Sequence, residues 1–165
     1  MKGYCVVVAD AAHARFFTLG AAPVQASESG PKLMEDACLV NPEKELPERA
    51  IFSDVKSGIN RSSSGQAHGY DDHRSRHEAA FERRFAKQIA ATALKIARQK
   101  GSACLLIVAE SRMLGYLRRE FGGMEFKGIT IRESERLMTR MPVRRIQTHL
   151  AKQGLLPACQ PPQTL

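Results

Sequence analysis

Between Ser75 and Gly101, Phe81, Phe85, Ile89, Thr92 and Ile96 recur at three- and four-residue spacing. On a helix turning about 100° per residue they form one stripe. A stripe that long has to be covered by a core, so the chain is constrained to fold around one long amphipathic helix. Ser75 followed three residues later by Glu78 reads as a capping box, the hydroxyl taking one orphan N–H and the carboxylate returning to the cap. Gly101 reads as the stop. On the other side His73, Arg76, His77, Arg83, Arg84, Lys87, Lys95 and Arg98 fall within an arc of about 120°, while Glu78 and Glu82 project nearer the apolar stripe.

A basic face is commonly no more than solvated surface. Here a loop rich in Ser and Gly runs into it, Asn60 to Arg74, and carries Arg61 and Arg74. Loop and helix together suit a phosphate-bearing partner. The RNA-binding set expected on this ground is Arg61, Arg74, Arg76, Arg83, Arg84, Lys87, Lys95 and Arg98. A net charge of +8 agrees with a polyanionic partner such as RNA, and equally with simple solubility. Trp is absent and aromatic residues are sparse, so contact with phosphates is expected rather than base stacking.

A chain of 165 residues suffices for one domain with a single core. Residues 1–156 are expected to form it, with a Pro- and Gln-rich disordered tail over 157–165. Cys5, Cys38, Cys104 and Cys159 are scattered without a C-x-x-C pair, and Cys5 and Cys104 sit in apolar runs. They read as reduced thiols, with neither a disulfide framework nor a zinc ribbon. The apolar run after Lys2 is too short for a signal peptide, and no stretch is long enough to span a bilayer. The expectation is a soluble, cytoplasmic protein.

In chain order, Tyr4 to Asp10 is a β-branched run of buried-strand type, and His13 to Leu19 completes a hairpin with it. Leu33 to Val40 reads as a third strand, Glu43 to Arg49 as a helical turn or loop. Ala103 to Ala109 is a second strongly apolar strand. Ser111 is placed to cap a helix from Arg112 to Phe121, which Gly122-Gly123 stops, and Lys127 to Arg132 returns as a strand. That unit is of right-handed crossover type. Pro142 introduces a helix from Val143 to Gln153, with Arg144 and Arg145 outward and Ile146 and Leu150 inward. The fold class is therefore α/β, a single domain with a mixed sheet of about five strands flanked by about three helices, in which the Cys104 and Ile129 strands pair in parallel.

Several chemistries find little support. His73 and His77 stand i, i+4 with His68, Asp71 and Asp72 before them, but the order differs from the zinc protease signature and Arg74 and Arg76 oppose a dication. No metal and no cofactor are expected. Ser62 to Ser64 lack a nucleophile elbow, and no phosphate-cradling glycine motif for a nucleotide exists. Asp10 reads as a hairpin-turn residue.

Residues 6–17 (Val-Val-Val-Ala-Asp-Ala-Ala-His-Ala-Arg-Phe-Phe), 35–43 (Glu-Asp-Ala-Cys-Leu-Val-Asn-Pro-Glu) and 46–49 (Leu-Pro-Glu-Arg) resemble the host attachment protein family. So do His77-Glu78 with Phe85-Ala86, the stretch 107–118 (Ile-Val-Ala-Glu-Ser-Arg-Met-Leu-Gly-Tyr-Leu-Arg) and the ending 137–142 (Leu-Met-Thr-Arg-Met-Pro). The likeness covers roughly residues 4 to 153 in order. Leu137 stands where the family pattern has an acidic residue. A more distant likeness is to the middle domain of archaeal and eukaryotic peptide-chain release factors, which places a Gly-Gly-Gln loop before a long basic helix. Here Ser64-Gly65-Gln66 holds that position, with Ser64 replacing the first glycine.

This second resemblance implies a release-factor middle-domain-like fold and a ribosome- or tRNA-associated, release-factor-like module serving ribosome rescue. It implies a catalytic role for Gln66 with Gly65, at most hydrolysis of the peptidyl-tRNA ester: the glycine permits the backbone geometry, and the Gln positions water and the developing oxyanion. The alternative from the family name is a non-enzymatic protein-interaction factor needed for attachment of bacteria to host cells, acting through a protein partner.

Overall fold

The computed structural model describes residues 3–20, 30–45 and 68–159. Five strands form one sheet: β1 (Tyr4–Ala9), β2 (His13–Gly20), β3 (Lys32–Val40), β4 (Cys104–Ala109) and β5 (Thr130–Glu135), in the order β3-β2-β1-β4-β5. β1 and β4 hold the middle because their Val, Leu and Ile side chains are apolar on both faces. Val6, Val7, Val8, Leu105, Leu106, Ile107 and Val108 have no exposed surface. The two pair in parallel from Tyr4 opposite Cys104 to Ala9 opposite Ala109. β5 extends the parallel half beside β4. β2 and β3 add antiparallel strands beyond β1, with a register shift at Phe16/Phe17. The sheet is mixed, as the sequence predicted.

Among the described residues there are four helices: α1 (Pro42–Glu45), α2 (His68–Gln99), α3 (Ser111–Gly122) and α4 (Val143–Lys152). The first is a single turn beyond the expected three. Alternation along the strands divides the core in two. Cys5, Val7, Ala9, Leu105 and Ile107 pack under α2 and α3, through Phe85, Ile89, Ala93, Met113 and Leu117. Val6, Val8, Phe17, Leu106 and Val108 pack under α4, through Ile146 and Leu150. Helices thus cover both faces of the sheet.

Three predicted boundaries move. Ser75 lies within α2, which begins at His68, and Glu78 lies 3.8 Å from Arg74 one turn earlier, so its carboxylate pairs along the helix instead of closing a capping box. α3 begins at Ser111 itself, with Glu110 as an extended cap residue making no side-chain cap bond. β5 begins at Thr130 rather than Lys127, because Gly128 takes φ +76° and Ile129 N–H closes a turn onto the Phe126 carbonyl. Gly101 ends α2 as expected: at φ +61° it lets Ser102 N–H reach the Ala97 carbonyl at 2.8 Å. Asp10 is a turn residue as expected, its Oδ1 accepting the N–H groups of Ala12 and His13 at 2.8 and 2.7 Å.

Candidate nucleic-acid interface

α2 has 32 residues, about 48 Å at 1.5 Å per residue, whereas a six-residue strand spans only about 20 Å. The helix turns tightly into β4 at Gly101, so it runs back against the strand direction toward the edge where β1 and β4 end. Its buried side chains lie between Glu82 and Ala97. From His73 to Phe81 none is buried. The amino-terminal part of α2 therefore projects past the carboxyl edge of the parallel strands, and its cations face outward there.

The predicted cations divide into two groups. Arg84 donates to Glu43 of α1 at 2.7 Å and lies over the Phe81 ring. Arg98 donates to the Glu125 carbonyl at 3.1 Å. Arg74 lies 3.8 Å from Glu78. By contrast Arg76, Arg83, Lys87 and Lys95 are exposed and form no ion pair among the described residues. Arg76, Arg83 and Lys87 fall within about 40° of the helical wheel and follow one another along the axis at about 10 and 6 Å. Of the histidines on this face, His77 packs beside Phe81, ring centroids 6.1 Å apart. No group of three or more His, Cys, Asp or Glu side chains that could hold a metal occurs among the described residues. Arg61, Gly65 and Gln66 lie outside the described residues.

Sequence reasoning missed a charged cluster under this helix. Glu82 is buried on the sheet side of α2, with Lys44 of α1 at 3.5 Å and Arg112 of α3 at 3.0 Å. The Arg112 contact lacks hydrogen-bond alignment, leaving Oε2 of Glu82 without a donor. Arg112 is held above its ordinary pKa first by a hydrogen bond with Tyr116 and then by the charge of Glu82. A lone Glu near an apolar stripe was the only signal in the sequence. With the Arg84–Glu43 pair, the cluster pins α1 against α2.

The opposite face has its own polar architecture. Arg15 makes a bidentate pair with Glu35 at 2.9 and 2.8 Å and donates to the carbonyls of Thr139 and Met141 at 3.2 and 2.6 Å. The hydrogen bond to Arg15 holds Glu35 below its usual range, and the same bond raises Arg15. Arg15, Glu35 and Thr139, with His13, Cys38, Val40 and Arg140, line an open groove of about 430 Å³ between the β2–β3 edge and the segment before α4. Beyond it, Arg136, Arg140, Arg144, Arg145, His149 and Lys152 are exposed. Sequence reading had placed Arg144 and Arg145 outward without showing which side of the sheet they occupy.

No helix of the described residues is long and apolar enough to cross a membrane. No curated protein matches the chain. Residues 5–150, from β1 to the end of the packed part of α4, match the family described as "Protein required for attachment to host cells", and the chain belongs to that host attachment family.

Proposed function

We propose that this protein is a phosphate-binding module that associates with ribosomes or transfer RNA, using the outer face of α2. The observation that carries the reading is the row Arg76, Arg83 and Lys87, exposed and without an ion pair among the described residues. Cations placed along one line of a rigid helix can follow a nucleic-acid backbone without reading its sequence. Arg84 and Arg98 are already engaged by the protein and belong at the rim of this surface. The resemblance to release factors supplies the partner, and it assigns Gly65 and Gln66 to the peptidyl ester.

The test is co-sedimentation with ribosomes across a salt series, comparing the wild type with an Arg76→Glu, Arg83→Glu, Lys87→Glu variant. Binding that weakens with salt and is lost in the variant supports the reading, and Gln66→Ala is then assayed for peptidyl-tRNA hydrolysis. Absent or salt-independent binding refutes it, leaving a protein partner for attachment as the role of the surface.

A further inference from the structure

The net charge of +8 is confined to two segments of the chain. α2 has seven Lys and Arg against four Asp and Glu; residues 136–165 have five against none. All other residues together hold thirteen of each sign. The larger share of the excess thus lies not on α2 but on the carboxyl-terminal segment, and α4 packs on the opposite face of the sheet.

The described part of that segment presents its charge outward. Arg145, His149 and Lys152 fall within about 60° of the α4 wheel, away from buried Ile146 and Leu150. Arg136 and Arg140 stand exposed before the helix, and Met138 and Thr139 between them are buried. Arg136, Arg140, Arg145, His149 and Lys152 form no ion pair among the described residues. Arg145 also sits in the first turn of α4, which has no acidic residue. A cation there opposes the helix macrodipole. Its position therefore does not serve helix stability, whereas a phosphate would be favoured at the same place by the guanidinium and the helix terminus together.

We infer that the 136–152 surface is a second phosphate-binding face, so that one molecule holds two RNA segments, one on each side of the sheet. The inference rests on the proposed function for the identity of the polymer. A membrane is the weaker match, because a helix lying on lipid needs an apolar outer face, and Leu137 is the only exposed large apolar side chain described in this segment.

The experiment titrates the protein with a short oligouridylate at low salt and reads stoichiometry by native mass spectrometry. Energy transfer between donor- and acceptor-labelled oligouridylates then shows whether both sit on one molecule. Two variants are compared with the wild type: Arg140→Glu, Arg145→Glu, Lys152→Glu on this face and Arg76→Glu, Arg83→Glu, Lys87→Glu on α2. Circular dichroism checks the fold, and Gln versions replace any Glu variant that loses it. Two oligonucleotides on the wild type and one on each variant is the expected result, with the salt slope of single-strand binding falling by about 2 per face.

One oligonucleotide on the wild type, lost only in the α2 variant, overturns this inference and leaves the proposed function standing. One lost only in the 140/145/152 variant overturns the two-faced arrangement and the role given to α2. No binding overturns both. If the 140/145/152 variant keeps both oligonucleotides but loses binding to phosphatidylserine vesicles, the face belongs to a membrane and the inference is wrong.

Discussion

Thr139 donates its hydroxyl hydrogen to Oδ2 of Asp10 at 2.5 Å, joining residues 129 positions apart. Because Oδ1 of the same carboxylate holds the turn after β1, one side chain ties the first hairpin to the segment that delivers α4. Thr139→Val is expected to cost about 1–2 kcal/mol, since a charged acceptor loses its donor. Asp10→Ala removes three hydrogen bonds and should cost more, about 2–3 kcal/mol. Urea denaturation measures both. Equal costs would mean that the link to Thr139, and not the turn, is what matters.

The Glu82 cluster should respond asymmetrically. Glu82 is 4% exposed, whereas Lys44 and Arg112 are 26% and 49% exposed. Removing Glu82 lets both cations turn to water; removing both cations strands a buried carboxylate. Lys44→Ala with Arg112→Ala is therefore predicted to cost about 3 kcal/mol or more, and Glu82→Gln clearly less. Denaturation midpoints of the three proteins check the order, which fails if Glu82→Gln proves the more damaging.

Glu35 supplies an acid-dependent term. Its hydrogen bond with Arg15 depresses its pKa in the fold. The corresponding stability is present above the unfolded carboxylate value and is lost as pH falls through the lower folded one. Between neutral and acid pH the wild type should lose more stability than Glu35→Gln, read as the difference in urea midpoints. Parallel losses would show that the pair adds nothing on folding.

Cys5 supplies the opposite term. Burial pushes its thiol up to about 12 from 9.0, with Asp36 and Cys104 adding to the shift. The folded chain keeps that proton where the unfolded chain gives it up. Stability attributable to Cys5 is thus full below pH about 9 and declines toward pH about 12, by about 1.4 kcal/mol per pH unit. A Cys5→Ala variant should show a shallower alkaline decline than the wild type in pH-dependent denaturation, whatever its cost at neutral pH. The same slope in both proteins would refute the assignment.

The sequence by itself determined the five strands and three main helices, the β1–β2 hairpin and the parallel pairing of β4 with β5; that β1 and β4 lie side by side came from the tertiary structure. The runs around Val7 and Ile107 are apolar at every position, which only a strand buried on both faces accommodates. The spacing of Phe85, Ile89 and Ile96 defined the buried side of α2 and, by exclusion, its basic side. Arg76, Arg83 and Lys87 are exposed for that local reason alone.

Only the tertiary structure decided what depends on residues far apart in the chain. Arg84 is drawn to Glu43, Glu82 is enclosed by Lys44 and Arg112, and Asp10 meets Thr139 because the sheet brings their elements to one edge. No periodicity encodes such partners: helical and strand patterns say which way a side chain points relative to its own element, not what it finds there. The same limit hid the second cationic face. The residues of α4 show their outward side in the sequence, but that this side lies across the sheet from α2 follows from Val6 and Val8 facing Ile146 while Cys5 and Val7 face Phe85.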